Sequence, residues 1–250
     1  MSGKLTVTYL HHSGFMVQTA SRLLLFDYYS DPGRPEQQTR NAACVKDAIQ
    51  NPEISQVFIF VSHAHRDHFD AAIFAFERLA KPVWYIFSSD IAPRPPYNRL
   101  IQLAPGQVKS LNGLQIHTYG STDEGVSFLV KINGLNLFHA GDLNWWHWSD
   151  ESTPEELVAY ENDFKQIIGQ IGALRIDVAF FPVDPRLKES YWYGGHYFIQ
   201  SLRPKIFFPM HFGYAYTVTE RFQQKISDCS FSDVTVMVIQ EERQRFELSL

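Results

Sequence analysis

Five consecutive apolar residues, Val57-Phe58-Ile59-Phe60-Val61, run almost directly into the segment His63-Ala64-His65-Arg66-Asp67-His68. A short apolar run without polar alternation is the pattern of a strand buried on both faces. Such a strand needs cover on each side, which limits the chain to layered architectures of sheets and helices. The same junction sets three imidazoles and a carboxylate within six residues of a buried strand end. With 10 histidines in 250 residues, that cluster arises by chance in about one such chain in a thousand, so it counts as a motif.

The remaining periodicities supply the rest of the layers. Leu5, Val7 and Tyr9 alternate onto one face, Phe15 and Val17 continue after a turn at Gly14, and residues 22–27 make a third strand ending in Asp27. Residues 40–50 read as a helix stopped at Asn51-Pro52, residues 69–80 as another, and residues 83–87 as a buried strand. The proline-rich stretch 92–97 reads as a surface loop. Strands follow at 108–111, 114–119, 126–132 and 135–139, the last two joined by the hairpin dipeptide Asn133-Gly134. A helix at 154–170 opens on Thr153-Pro154-Glu155-Glu156, whose threonine and glutamate have capping-box spacing. Then come a strand at 178–181, a helix at 197–202, a strand at 206–208, a helix at 219–226, and strands near 234–239 and 245–249. No solenoid or propeller period and no linker interrupt this order, so residues 1–250 are expected to form a single domain.

Hydrophobic residues make up 45% of the chain and aromatics 15%, enough for a sizeable core. A net charge of -5 speaks against a broad nucleic-acid surface, which is normally basic. Cys44 and Cys229 have neither zinc-finger spacing nor the density of a disulfide scaffold. Met1 to Val7 lacks the apolar core of a signal peptide, and no apolar stretch reaches membrane-span length. The expectation is a cytoplasmic protein with a small-molecule substrate and no membrane partner, with a homo-oligomer as an open alternative to a monomer.

The spacing in the histidine run has a mechanical sense. Residues two apart on an extended segment point the same way, so His63 and His65 can grip one ion. A turn after them would swing Asp67 and His68 toward a second. Imidazoles with carboxylates suit zinc, manganese or iron better than calcium. Two later segments end strands with further ligand types. Phe138-His139-Ala140-Gly141-Asp142 offers a carboxylate that can bridge two cations, and Phe207-Phe208-Pro209-Met210-His211 offers an imidazole. Trp145 and Trp146, three and four residues after Asp142, read either as a wall of a substrate pocket or as a plug at a core edge. Arg186 reads either as a cation for an anionic substrate group or as a partner of Asp184.

In this order, from His12-Ser13-Gly14-Phe15 and Leu24-Leu25-Phe26-Asp27 through the histidine run and His139-Ala140-Gly141-Asp142 to His211, the chain resembles the metallo-β-lactamase-fold hydrolases. The resemblance is strongest to their branch of small L-ascorbate-6-phosphate-lactonase-like enzymes. It implies a four-layer αβ/βα sandwich of two mixed β-sheets flanked by helices, with metals at one sheet edge. Two divalent ions are implied, zinc first and manganese or iron as alternatives. By matching positions, His63 and His65 would hold the first, Asp67, His68 and His211 the second, and Asp142 would bridge. The family usually carries another histidine before the strand that precedes the bridging aspartate, and residues 119–128 contain none. Counting back from Ser127 puts Asp123 at that place; His117 and a vacant first site are the alternatives. Asp27, His12 and His139 are candidates for holding metal-bound imidazoles from behind. The implied function is hydrolysis by a metal-activated hydroxide that Asp67 orients, with Asp67 and His211 as candidate catalytic residues and a small lactone, ester or phosphoester as substrate. A di-iron redox enzyme and a non-catalytic, metal-stabilised binding protein are the competing readings.

Overall fold

In the computed structural model, which describes residues 4–79, 81–92, 98–172, 174–229 and 231–250, each residue of the run Val57–Val61 is 0% exposed. The chain divides into two compact units, one running up to Leu103 and rejoined by Glu241–Leu250, the other spanning Ala104–Gln240.

In the first unit the strands are β1 (Lys4–His11), β2 (Gly14–Gln18), β3 (Arg22–Phe26), β4 (Gln56–Val61), β5 (Val83–Ser88) and β6 (Leu100–Leu103), with helix α1 (Pro35–Gln50) between β3 and β4. β1 to β3 pair antiparallel and β3 to β6 pair parallel. The connection carrying α1 is what lets β4 return parallel to β3. Val45 and Ile49 of α1 are buried with Leu23, Leu25, Val57 and Ile59 in one apolar cluster. Burying a side chain of that size contributes about 1.5–3 kcal/mol.

The second unit repeats the scheme, antiparallel strands first and parallel strands after. Its strands are β7 (Val108–Leu111), β8 (Leu114–Tyr119), β9 (Ser127–Ile132), β10 (Leu135–His139), β11 (Val178–Pro182), β12 (Ile206–Met210) and β13 (Thr235–Val236). β7 to β10 are antiparallel and β10 to β13 parallel. Helices α2 (Pro154–Ile171), α3 (Tyr193–Leu202) and α4 (Thr217–Asp228) supply cover. Phe164 of α2 meets Phe181, Phe198 of α3 meets Phe138 and Phe181, and Phe222 of α4 meets Phe207. A last strand, β14 (Arg245–Ser249), pairs antiparallel with β1 and completes the first sheet. Two seven-stranded mixed sheets flanked by helices result.

Several local expectations meet their elements. Leu135 pairs with Ile132 across Asn133 and Gly134, both at positive φ (52° and 79°), as a two-residue hairpin turn requires. The Thr153–Glu156 capping box is present in both directions. Others are corrected. The helix expected at 69–80 is a 3-10 helix at Ala71–Arg78, with Ala80 outside the described residues. Its buried residues, Ile73 and Phe76, lie three apart, and a three-residue turn turns both inward. α1 begins at Pro35 rather than 40, since proline suits the first helical turn. α3 begins at Tyr193 rather than 197, taking in Gly194, where a Cβ would come within 1.9 Å of Asn144 Oδ1. β6 was not anticipated, and the strand expected near 234–239 pairs only at Thr235 and Val236. Positions 93–97 of the proline-rich loop lie outside the described residues. Both cysteines are free and half-buried, and no helix among the described residues is long and apolar enough to cross a membrane.

Candidate metal centre in two halves

The first half is built from three segments of the first unit. His63 leaves the end of β4, fully buried, while His65 is exposed. The backbone then turns, the His68 and Phe69 amides donating to His65 O at 3.1 and 3.0 Å. This turn brings the His63 ring to 4.1 Å from the His68 ring and 4.7 Å from the His65 ring, centroid to centroid. The ligating atoms of His63 and His65 lie within 4.8 Å of each other, and those of His12, Asp67 and His68 form a second set at the same limit.

Asp27, 0% exposed and at φ 42° just past β3, holds these rings in place. Its Oδ1 accepts from the Ser62 amide at 2.8 Å, and its Oδ2 accepts from Ser62 Oγ at 2.6 Å and from His68 Nδ1 at 2.7 Å. Ser62 Oγ, its proton given to Asp27, accepts from His63 Nδ1 at 2.9 Å. With both Nδ1 protons committed, His63 and His68 keep Nε2 as the lone-pair nitrogen. His12, at φ 54° in the turn between β1 and β2, places Nε2 3.4 Å from Asp67 Oδ2. Gly14 permits that turn, because a Cβ there would stand 2.9 Å from His11 O and 3.1 Å from Asp27 O.

The second half lies in the second unit. Asp142, 4% exposed, follows β10 across Ala140-Gly141. The Gly141 amide donates to buried His139 Nδ1 at 3.2 Å, and Trp146 Nε1 donates to Asp142 O at 3.0 Å. His139 thereby supports the loop that carries Asp142. Asp123 has a carboxylate oxygen within 4.8 Å of one on Asp142. Thr122 secures this approach: its hydroxyl donates to Asn144 O at 2.6 Å and accepts from the Asn144 amide at 3.0 Å. His117 lies on β8, opposite Leu129, and is not in that ligand set.

His211, at φ 66° past β12 and 3% exposed, holds Nε2 3.3 Å from Asp142 Oδ1. Asp142 thus stands between Asp123 and His211, the position a bridging carboxylate needs. Behind His211, Asp184 Oδ2 receives Nδ1 at 2.9 Å. Asp184 is 1% exposed and chelated by Arg186, whose Nε and Nη2 donate to it at 2.9 and 2.5 Å. Burial alone would raise the Asp184 pKa; hydrogen bonds from His211 and Arg186 outweigh it and bring it down to about 2. Arg186 is therefore committed to Asp184, with its guanidinium 5.7 Å from the Trp148 ring. Trp146 stacks on Trp148 (5.9 Å, 4°) and meets His211 edge-on at 5.4 Å. Trp145 instead packs among Phe164, Tyr193 and Tyr197, as a core plug would.

Sequence reasoning missed Ser62 and Thr122, whose hydroxyls carry no spacing signal. It noted Asp184 only as a partner for Arg186. The signal for more was the strand end, since Pro182 closes β11 beside β12, the strand that delivers His211.

A family model for a beta-lactamase superfamily domain matches residues 6–211, a span that includes both halves. A UPF0173 metal-dependent hydrolase from Thermococcus kodakarensis is 23% identical over 226 residues, 82% of this chain and 84% of that protein. Among solved structures, Igni18, a novel metallo hydrolase from Ignicoccus hospitalis, is similar with a TM-score of 0.65 at 19% identity over 99% of each chain. CmlA, a diiron β-hydroxylase from Streptomyces venezuelae, is similar with a TM-score of 0.60 at 12% identity, over 99% of this chain and 54% of its own. With four-fifths of its length inside the family model and two mixed sheets flanked by helices, the chain belongs to the beta-lactamase superfamily domain family and has the metallo-β-lactamase fold.

Proposed function

We propose that this protein is a metal-dependent hydrolase that uses a pair of divalent ions, residues 1–250 acting as one domain. The observation that carries the reading is the treatment of the buried imidazoles. His63, His68 and His211 each have Nδ1 engaged by a buried hydroxyl or carboxylate, on Ser62, Asp27 and Asp184. That arrangement leaves Nε2 as the donor nitrogen, which is how imidazoles are prepared for a cation. The donor set fits zinc, with manganese or iron favoured wherever Asp123 stands in for an imidazole.

His63, His65 and Asp123 would hold one ion, Asp67, His68 and His211 the other, and Asp142 both, with His12 as a further ligand candidate beside Asp67. Bound there, the ions would supply Lewis acidity and lower the pKa of water. Asp67 accepts a hydrogen bond from the attacking water and directs it at the substrate. Asp27 and Asp184 keep the imidazole tautomers fixed, so no proton is lost to the wrong nitrogen. The Trp146–Trp148 stack shields His211 and limits solvent on that flank. The finer reading belongs to the same proposal: an enzyme of the L-ascorbate-6-phosphate-lactonase-like branch, acting on a small lactone, ester or phosphoester.

Elemental analysis together with a hydrolysis screen of lactones, esters and phosphodiesters, with zinc, manganese or iron added, tests this. About two ions per chain and turnover of one class support it; full metallation with no turnover of any class points to a binding protein instead. The likeness to CmlA, a diiron enzyme, favours a second reading, oxidative chemistry at two irons, which bound iron together with oxygen consumption would establish.

A further inference from the structure

A cleft of about 470 Å³ opens in the first unit beside its histidines, and the hydrolytic reading leaves it unused. Arg34, Arg40 and Arg243 line it with Gln37, Glu36 and Glu242. Three guanidinium groups around one cleft are notable in a chain of net charge -5.

The acidic members do not cancel them equally. Glu242 is a brace: its carboxylate accepts from Gln37 Nε2 and from Arg243 Nη1 at 3.2 Å, and lies 3.3 Å from His11 Nδ1. Glu36 is an exposed surface residue 3.9 Å from Arg40, a separation at which such pairs contribute little. The wall itself is built on buried polar groups. Gln37, 6% exposed, accepts the Asp31 amide at 3.0 Å, and Asn41, 0% exposed, accepts from Arg243 Nη1 at 2.8 Å.

Arg243 is also held at φ 61°, its amide donating to Tyr9 O at 2.7 Å. A non-glycine residue in that region carries strain, which persists only where its surroundings impose it. His12, Asp27 and His211 of the candidate metal centre share this backbone state. The cleft and the metal ligands of the same unit are neighbours. His11, bound to Glu242 on the cleft wall, precedes His12, and the Tyr29 ring lies 5.8 Å from the one ring, tilted, and 6.5 Å from the other, edge-on.

We propose that this cleft is the subsite for an oxyanion carried by the substrate, a carboxylate or a phosphate group held by Arg34 and Arg40 while the scissile bond is cut at the metal centre. Guanidinium groups bind both oxyanions in a two-pronged manner. The inference rests on the hydrolase reading for its substrate role, but not for its binding chemistry.

Two measurements on the metallated protein test the two parts separately. Calorimetric titration with glutarate and, in a parallel arm, inorganic phosphate counts the anions bound per chain and shows which oxyanion is preferred. In Arg34→Ala/Arg40→Ala protein one anion per chain is expected to be lost, or its Kd to rise about tenfold or more, with Arg34→Lys recovering part of the affinity. Kinetics with two aryl esters, one neutral and one ending in a carboxylate, should show wild type preferring the charged ester and the double variant losing that preference about tenfold. Unchanged anion count and affinity in the double variant would overturn the subsite. Loss of anion binding in a protein that turns over neither ester would support the cleft and count against the hydrolase reading.

Discussion

The two halves of the candidate centre are assembled in opposite ways. The first takes most of its donors from one stretch, His63 to His68, turned by local hydrogen bonds and braced by Asp27 through Ser62, with Asp90 accepting the Ala64 amide at 2.9 Å. The second gathers Asp123, Asp142 and His211 from three separate strand ends and needs several unrelated braces: Thr122, Trp146 and Asp184. A contiguous motif can share its supports, as His63 and His68 share Asp27, whereas dispersed ligands each need their own. The second half should therefore yield piecemeal to mutation, and the first all at once.

Asp142→Ala gives the largest effect. As the carboxylate between Asp123 and His211 it is expected to weaken both ions, and turnover with them, by more than the ~10–100-fold typical of a supporting residue. Metal titration followed by kinetics checks this, and loss of only one ion would remove its bridging role. Next in size, Asp123→Ala should cost one ion and leave the other bound, while His117→Ala leaves both. Elemental analysis of the two proteins side by side decides between them, and equal metal content in the first and wild type would eliminate Asp123.

Asp27→Asn and Asp184→Asn sharpen the contrast directly. Each removes a carboxylate behind an imidazole and should lower metal affinity about 10–100-fold. Asp27 serves both His68 and, through Ser62, His63, so its variant should weaken both ions. Asp184 serves His211 alone among the proposed ligands, so its variant should weaken one. Competition with a chelator reads the two affinities; identical profiles for the two variants would erase the distinction. The smallest effect is expected from Trp146→Phe, which keeps the stack and removes the indole bond to Asp142 O. About 1 kcal/mol of stability should go, a Tm decrease of roughly 2–4 °C, and calorimetry showing no change would mean the bond is silent.

How far these features were legible follows from the same contrast. The first half stood out because its donors are neighbours after a buried strand, and the two sheets followed from alternation, the Asn133-Gly134 turn and the Thr153 cap. Less legible were features settled by tertiary packing. Gly194 hid the start of α3 because its purpose is to admit Asn144. The turn at Ala71–Arg78 carried the apolar residues of an α-helix yet buries only a three-residue repeat. Asp184 looked like half of a surface ion pair, since nothing along the chain connects it with His211, 27 residues away. The strand ends that bring them together are visible only once β11 and β12 lie side by side.

The central claim is that the proposed ligands hold one pair of divalent cations. A crystal structure of protein saturated with zinc or manganese measures this most directly. Two ions are expected, with Asp142 coordinating both, His63 and His65 on one and His68 and His211 on the other. A fully metallated crystal in which Asp142 and His211 coordinate no ion held by the histidine run would contradict it.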